Sequence, residues 1–308
     1  MINREKLNID WINKVSKENN NADKILIEKV IRALLLLEGL VKQKIKFIFK
    51  GGTALMLHFN TAKRLSIDID IILPKENKRL NSVLDKVVME QGFLKKEEQI
   101  RSSSLKINKR HFKFFYVPFY KTNRTEDYVL LDVLFEKTNY QKIIQLPITS
   151  AFLPIIDNPI LVNLPSLEDM LGDKLTAFAP NTTGIPYFKN ESGMSMEIIK
   201  QLYDIGNLVD KVEDLKVIKT TFLKFAKTEL TYRNKNISEQ DVIEDIYQTA
   251  LTVASKGMDG EGDFKQLQLG VQRIKSFIFS ESYNIEKAIV HASKTAYLAM
   301  LIKYDEDK

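Results

Sequence analysis

The chain has 308 residues, and 46 Lys and Arg against 40 Asp and Glu give it a formal net charge of +6. Hydrophobic residues make up 44% and charged residues 28%, a globular mixture that excludes a disordered chain. Cysteine is absent and there are only three histidines. This excludes disulfides, thiolate nucleophiles and Cys-ligated metal sites, and it favours Mg²⁺ or Mn²⁺, held by carboxylates, for any hydrolytic metal.

The charge is distributed unevenly along the chain. Residues 1–165 contain 28 Lys and Arg against 18 Asp and Glu, a net of +10, and residues 166–308 contain 18 against 22, a net of −4. A basic half is typical of proteins that bind a polyanion such as nucleotide or nucleic acid, although a lysine-rich solvated surface gives the same count. The polar N-terminus predicts no signal peptide, and the longest apolar run near it, Ala33 to Leu37, is too short to span a membrane. The sequence therefore predicts a cytoplasmic protein.

The first half of the chain predicts a mixture of helices and strands. In chain order these are helices over 4–19 and 22–43, a strand over 45–49, a short helix over 53–59, a strand over 67–73, a helix over 75–91, and strands over 93–98, 101–107, 111–120, 128–136 and 143–149. Pro118 favours an edge position for the strand over 111–120, because proline cannot donate to a neighbouring strand.

The character of the sequence changes at Pro165. Ser166 and Asp169 have the spacing of a capping box, in which both side chains satisfy free amides at a helix start. Helices are predicted over 166–179, 194–210, 213–232, 238–255, 263–279 and 283–303. The predicted fold class is therefore α+β, a mixed β-sheet with flanking helices followed by an all-helical C-terminal domain, with domains over 1–165 and 166–308.

Three acidic residues lie in strands that are otherwise apolar. Asp68 and Asp70 alternate with isoleucines and are predicted to share one face of their strand, and Asp132 interrupts an apolar strand. Neighbouring carboxylates repel each other unless a cation lies between them. Asp68, Asp70 and Asp132 are therefore predicted to hold Mg²⁺ or Mn²⁺ together with substrate phosphates.

A glycine pair at a strand-to-helix junction lies close in sequence to these acids. Gly51 and Gly52 allow backbone amides to approach a phosphate, and Thr53 adds a hydroxyl. Lys50 is a candidate phosphate ligand or an exposed strand-end residue. If the extended conformation begins early, Arg64 and Ser66 share the Asp face; Arg64 then either contacts nucleotide or neutralises Asp68.

The pattern Lys50-Gly-Gly-Thr…Arg64-x-Ser-x-Asp-x-Asp70 resembles the AbiEii/AbiGii-type toxin nucleotidyltransferases of the DNA polymerase β-like superfamily. The resemblance implies a nucleotidyltransferase-like catalytic domain over 1–165 and a helical domain over 166–308 that closes the active-site cleft. It also implies that the glycine pair grips the triphosphate and that Asp132 completes the acidic triad.

Two later motifs of the family have counterparts here. Leu171-Gly-Asp-Lys-Leu-Thr-Ala177 resembles a helix with a functional lysine and nominates Lys174 as catalytic. Lys200-Gln-Leu-Tyr-Asp204 resembles a KDxxD segment and nominates Asp204, with Gln201 in place of the first acid. The arginine-rich run expected before this segment is absent. Lys174 could alternatively be a surface lysine paired with Asp169 or Asp173, and Asp204 a solvated helix acid.

The activity that the resemblance implies is transfer of an NMP from an NTP, such as ATP, to a hydroxyl acceptor with release of pyrophosphate. The implied role is the toxin of a toxin–antitoxin or abortive-infection (phage-defence) system, with an antitoxin protein encoded nearby and tRNA or another RNA as a candidate acceptor. Two alternatives stay open: an antibiotic-type nucleotidyltransferase with a small acceptor, and a catalytically silent nucleotide- or RNA-binding module.

A basic, aromatic stretch is a second candidate for RNA contact. Its cations alternate with Phe112, Phe114 and Tyr116, although aromatic residues in such a pattern more often belong to the core and the lysines to a solvated face. The cations are Lys95, Lys96, Arg101, Lys106, Lys109, Arg110 and Lys113. The three histidines lie outside any motif and receive no role.

Overall fold

The computed structural model describes residues 1–59, 63–100, 108–120 and 125–304. Contacts divide the chain into two compact units. The first consists of Met1–Thr138, Ile143–Pro165 and Ser276–Ser280; the second consists of Asn139–Lys142, Ser166–Lys275 and the chain from Glu281 on. A catalytic role for 1–165 and a cleft-closing role for 166–308 stay predictions.

The first unit contains both helices and strands. They are α1 (Ile9–Glu18), α2 (Lys24–Lys42), β1 (Ile48–Lys50), α3 (Gly51–His58), β2 (Ile69–Leu73), α4 (Leu80–Gln91), β3 (Lys95–Gln99), β4 (Lys109–Tyr116), β5 (Asp127–Phe135), β6 (Ile143–Pro147) and β7 (Leu161–Pro165). The predicted strand over 101–107 lies outside the described residues, and β7 was not predicted.

A mixed sheet with strand order β1-β2-β5-β4-β3 is the centre of this unit. β2 and β5 are parallel, and the other neighbours are antiparallel. The odd-numbered residues of β5 are buried, and α2 and α4 pack on the sheet. The apolar residues of α2 extend around most of its circumference, which is typical of a buried helix. One face of the sheet therefore forms the core, and the even-numbered residues of β5 lie on the opposite face.

The expectation of an edge strand at Pro118 is wrong. β4 ends at Tyr116 and lies between β5 and β3. Pro118 follows the strand, so its missing N–H removes no hydrogen bond from the sheet. The edges of the described sheet are β1 and β3.

The second unit is mainly helical. Its elements are α5 (Leu167–Ala177), β8 (Phe188–Lys189), β9 (Ser192–Gly193), α6 (Ser195–Leu208), α7 (Leu215–Tyr232), α8 (Glu239–Ala254), α9 (Phe264–Arg273) and α10 (Ile285–Tyr304). The α+β class and the helical C-terminal region predicted from the sequence are confirmed. No helix in the described ranges combines the length and the hydrophobicity needed to cross a membrane.

The predicted capping box at the start of α5 is half correct. Ser166 accepts a hydrogen bond from the amide of Asp169, as expected. The Asp169 carboxylate instead accepts from the amides of Gln141 and Lys142, both at 2.7 Å, and from the Thr221 hydroxyl. It joins α5 to the 139–142 segment and to α7, which is a tertiary role that helix-start spacing cannot reveal.

His291 of α10 packs against α6. A β-carbon on Gly206 would overlap the His291 ring, so the two helices approach closely there. Tyr203 and Tyr283 each lie 5.5 Å from the His291 ring, and the Tyr283 hydroxyl is 3.3 Å from His291 Nδ1. Burial, followed by the charge of Lys294, lowers the pKa of His291 from 6.5 to about 4. The ring is therefore neutral in the folded protein at neutral pH.

This pKa predicts a loss of stability in weak acid. The unfolded chain binds a proton at His291 near pH 6.5, and the folded protein does so only near pH 4, so the free energy of unfolding falls as the pH drops through this interval, by up to about 3 kcal/mol. We expect His291→Gln to remove this component, measured by urea denaturation at several pH values. Parallel pH curves for the variant and the wild type would contradict it, whatever their offset.

Candidate active site

A row of polar side chains crosses the sheet at the level of Asp70. Asp70 is in register with Lys50 on β1 and with Asp132 on β5, and Asp132 is in register with His111 on β4. Residues in register on neighbouring strands point to the same face and are about 4.8 Å apart. Two carboxylates therefore lie side by side, with a lysine on one flank and a histidine on the other.

His111 contacts one of these carboxylates directly. Its Nδ1–H donates a hydrogen bond of 2.7 Å to Asp132 Oδ1. The side chains are 15% and 34% exposed, so the bond is shielded from water on part of its surface. No motif in the sequence assigns His111 a role. Its place in an aromatic strand was visible, but its partner follows from the pairing of β4 with β5, which the sequence does not specify.

The glycine pair is the first turn of α3, which begins at Gly51 and not at Thr53 as predicted. Gly51 has a φ of +82°, and a β-carbon there would overlap the Asp70 carboxylate. A β-carbon on Gly52 would lie 2.6 Å from Ser66 Oγ and 2.7 Å from Arg64 Nη2. Only glycine lets the helix start this close to Asp70, Ser66 and Arg64.

The segment before β2 is fixed by buried contacts. Thr53 is fully buried and its hydroxyl donates a 2.6 Å hydrogen bond to the Asp68 carbonyl. Arg64 is also buried, and its Nη1 donates to the Leu65 carbonyl at 3.1 Å. The Leu65 amide donates to the Phe277 carbonyl at 2.7 Å. Thr53 therefore holds the main chain at Asp68, and its hydroxyl is engaged there.

The three predicted metal ligands are not all gathered. Asp68 is exposed and lies immediately before β2, which begins at Ile69. Among the described residues, no three His, Asp or Glu side chains are grouped so that they could hold a metal ion. The two carboxylates that the sheet pairs are Asp70 and Asp132.

Lys174 and Asp204 belong to the second unit and contact each other. Lys174 Nζ donates to Asp204 Oδ2 at 2.6 Å and to Gln201 Oε1 at 3.3 Å. Their side chains are only 8% and 3% exposed. The surface position considered for Lys174 and the solvated position considered for Asp204 are therefore wrong. Gln201, which stands where the family motif has an acid, serves as a second acceptor for the same lysine.

The basic, aromatic stretch divides between the two faces of the sheet. Phe112, Phe114 and Tyr116 are at most 1% exposed and belong to the core. Lys96 and Arg110 face α4, where Lys96 pairs with Asp85 at 2.7 Å and Arg110 bonds Asn81 at 2.8 Å.

The remaining described cations of that stretch, Lys95, Lys109 and Lys113, lie on the face of Asp132 and His111. Arg101 and Lys106 fall outside the described residues. The prediction that these cations share an RNA-binding surface with Phe112, Phe114 and Tyr116 is therefore wrong, because the three rings lie on the core face.

Comparison with known proteins identifies the family. A family model described as the nucleotidyl transferase AbiEii toxin of a type IV toxin–antitoxin system matches residues 35–271. A solved structure of a candidate nucleotidyltransferase from H. pylori is 14% identical, with 92% of this chain and 96% of that chain covered and a TM-score of 0.49. The structure of JHP933 from Helicobacter pylori is 15% identical, with 90% of each chain covered and a TM-score of 0.48. No curated protein matches the sequence.

The matched range covers more than half of the chain and contains both the Asp70–Asp132 pair and the Lys174–Asp204 pair. The protein is a nucleotidyltransferase. It belongs to the AbiEii toxin family of type IV toxin–antitoxin systems, which confirms the resemblance seen in the sequence. Membership implies a nucleotide substrate and an antitoxin partner.

Gly51→Ala is expected to destabilise the protein by about 1–3 kcal/mol, because alanine is strained at positive φ and its β-carbon would displace Asp70. Gly193→Ala is the matched control, since its nearest neighbours would be 3.6 and 3.9 Å away and its φ is not positive. Urea denaturation of both variants measures the difference. Equal midpoints for the two would show that Gly51 is not constrained.

Breaking the Lys174–Asp204 pair is expected to cost about 3–5 kcal/mol for Asp204→Asn or Lys174→Met alone, because each leaves a buried charge without its partner. The double variant Lys174→Met with Asp204→Leu should recover most of this loss. The exposed pair Lys256–Glu286 is the control, and Lys256→Met should cost less than about 1 kcal/mol. Urea denaturation measures the free energy of unfolding of each variant. If the two single losses simply add in the double variant, the coupling is refuted.

Proposed function

We propose that this toxin transfers an NMP from an NTP to a hydroxyl group of an RNA acceptor, such as tRNA, in a reaction that depends on Mg²⁺ or Mn²⁺ and releases pyrophosphate. The observation that carries the proposal is the in-register pair Asp70–Asp132 beside a helix that starts with two glycines. Paired carboxylates next to free helix-start amides can accommodate a cation and a polyphosphate together.

The triphosphate would bind at the start of α3. The first amides of a helix have no partner within it, and the helix dipole favours negative charge there. The Arg64 guanidinium and the Ser66 hydroxyl border Gly52, and Lys50 precedes the helix on the face of Asp70. These groups donate hydrogen bonds or positive charge to phosphate oxygens. Thr53 would contribute its amide, because its hydroxyl bonds Asp68.

The donor set suits a hard divalent cation. Mg²⁺ is commonly bound by one or two carboxylates together with substrate phosphates and water. Asp70 and Asp132 would be the protein ligands. Asp68, whose side chain is exposed and whose carbonyl is held by Thr53, stays a predicted third ligand. When bound, such an ion supplies Lewis-acid polarisation of the phosphoryl oxygens.

Asp132 is also the proposed base. Its Oδ1 is occupied by the His111 N–H, which orients the carboxylate. Oδ2 would take the proton from the acceptor hydroxyl as the acceptor oxygen forms a bond to the α-phosphorus and the bond to pyrophosphate breaks. In the second unit, Lys174 and Asp204 stay predicted catalytic residues, and Asp204 and Gln201 accept hydrogen bonds from the Lys174 ammonium group.

We expect Asp70→Asn and Asp132→Asn each to lower NMP transfer by more than about 100-fold, because each removes an ionised ligand from the site. His111→Gln should lower it by about 10–100-fold through the orientation of Asp132. The measurement is incorporation of label from each α-labelled NTP into total RNA with Mg²⁺, resolved on a gel.

The matched control is Asp85→Asn, which removes a carboxylate on α4, at the other face of the sheet. It should retain wild-type transfer. Undiminished transfer in Asp70→Asn together with Asp132→Asn would refute the mechanism. Label that appears only in small molecules would replace the RNA acceptor by a small one, and nucleotide binding without transfer to any acceptor would leave a silent binding module.

A further inference from the structure

The face of the sheet that carries Asp132 continues into a surface of aromatic rings and lysines. Phe115 and Tyr128 are in register, their ring centroids are 5.8 Å apart, and both are half-buried. Lys113 Nζ lies 4.3 Å from the centre of the Tyr128 ring, and Lys95 Nζ lies 4.7 Å from that of Phe115. We call Lys95, Lys113, Phe115 and Tyr128 the lysine–aromatic face.

Core packing does not account for these two rings. The core side of β4 is already filled by Phe112, Phe114 and Tyr116, which are almost fully buried. Phe115 and Tyr128 point the other way and keep part of their surface in water. Aromatic rings on the polar face of a sheet, in contact with lysines, are typical of surfaces on which nucleic-acid bases stack.

The face carries charges of both signs, and Glu97 of β3 is in register with Lys113. Within the described chain, no ion pair joins Lys113 to a carboxylate, and its Nζ lies against the Tyr128 ring. Lys95 pairs with Glu97 at 3.0 Å and with Glu126 at 3.4 Å, so its charge is partly compensated. Lys29 of α2 lies 5.3 Å from the Tyr128 ring centre and pairs with Asp127. Lys113 is therefore the principal anchor available for a phosphate.

In the strand order, the lysine–aromatic face and the glycine turn lie on opposite sides of the Asp70–Asp132 pair. The glycine turn follows β1 and lies next to β2, whereas the lysine–aromatic face spans β5, β4 and β3. Asp70 and Asp132 lie between the two. Tyr128 precedes Asp132 by four residues on one strand, about 13 Å away. A chain stacked on Tyr128 and Phe115 could therefore extend its end to Asp132 without crossing the triphosphate position.

We propose that the lysine–aromatic face binds the single-stranded 3′ end of a polynucleotide acceptor, a proposal that rests on the function proposed above. Bases stack on Tyr128 and Phe115, Lys113 contacts a backbone phosphate, and the terminal hydroxyl is presented to Asp132. Stacking is tolerant of base identity, so this face supplies affinity for an unpaired strand with little sequence preference.

The test is fluorescence anisotropy with 5′-labelled single strands of about ten nucleotides, as RNA and as DNA, without NTP or Mg²⁺. Tyr128→Leu and Phe115→Leu should each weaken binding by about tenfold or more. Lys113→Gln should also weaken it and lower the dependence of log Kd on log salt by about 0.7. Binding of the RNA oligonucleotide alone, or of both the RNA and the DNA oligonucleotide, supports the lysine–aromatic face. The nucleic acid that binds more tightly identifies the acceptor chemistry.

Two matched controls lie away from this face. Tyr297→Leu removes an exposed aromatic ring from α10, and Lys86→Gln removes an exposed lysine from α4. Both should bind like the wild type. Equal affinity in all variants, or a loss in Tyr128→Leu no larger than in Tyr297→Leu, would overturn the proposal. Circular dichroism of each variant establishes that it is folded.

The two proposals can fail separately. If label transfer to RNA occurs but strand binding is insensitive to Tyr128, Phe115 and Lys113, the function stands and the lysine–aromatic face is wrong. If no NMP transfer is found but these three variants still lose strand binding, the face stands and the transfer reaction is wrong. Asp70→Asn should keep strand binding, because it lies on the nucleotide side.

Discussion

The register between β2 and β5 is the constraint on which the candidate active site depends. It brings Asp70 and Asp132 to about one strand spacing, a distance at which two carboxylates repel each other strongly unless positive charge or hydrogen bonds compensate. The same row supplies Lys50 next to Asp70 and the His111 N–H on Asp132. A shift of β2 by one residue against β5 would turn Asp70 towards the core, away from Asp132.

The glycine turn is built around this pair. Gly51 has a left-handed φ and no room for a β-carbon beside Asp70, and Gly52 is equally crowded by Ser66 and Arg64. Thr53 then ties the first turn of α3 to the chain that enters β2. The short motif thus starts α3 beside Asp70 and, through Thr53, fixes the chain that enters β2.

The buried charges of the second unit also depend on their partners. Lys174 lies between Asp204 and Gln201, so its ammonium group is paired and hydrogen-bonded away from water. Such a pair contributes little net stability compared with apolar residues, but losing one partner is costly. The glutamine in place of the family's first acid keeps an acceptor at that position while removing one negative charge.

The sequence by itself determined most of the helices and strands and the family. Alternation over 67–73 and an apolar run over 128–136, interrupted by Asp132, predicted two strands that carry acids. The Lys50-to-Asp70 pattern resembles the family that the match over 35–271 confirms. These features depend on local periodicity, which a sequence displays directly.

Only the tertiary structure decided which side chains meet. The hydrogen bond from His111 to Asp132, the burial of Lys174 and Asp204, and the presence of Phe115 and Tyr128, not Phe112 and Phe114, beside Lys113 follow from the tertiary structure alone. The physical reason is that strand order and register arise from contacts between residues distant along the chain. Periodicity assigns two faces to a strand, but it does not say which face is covered.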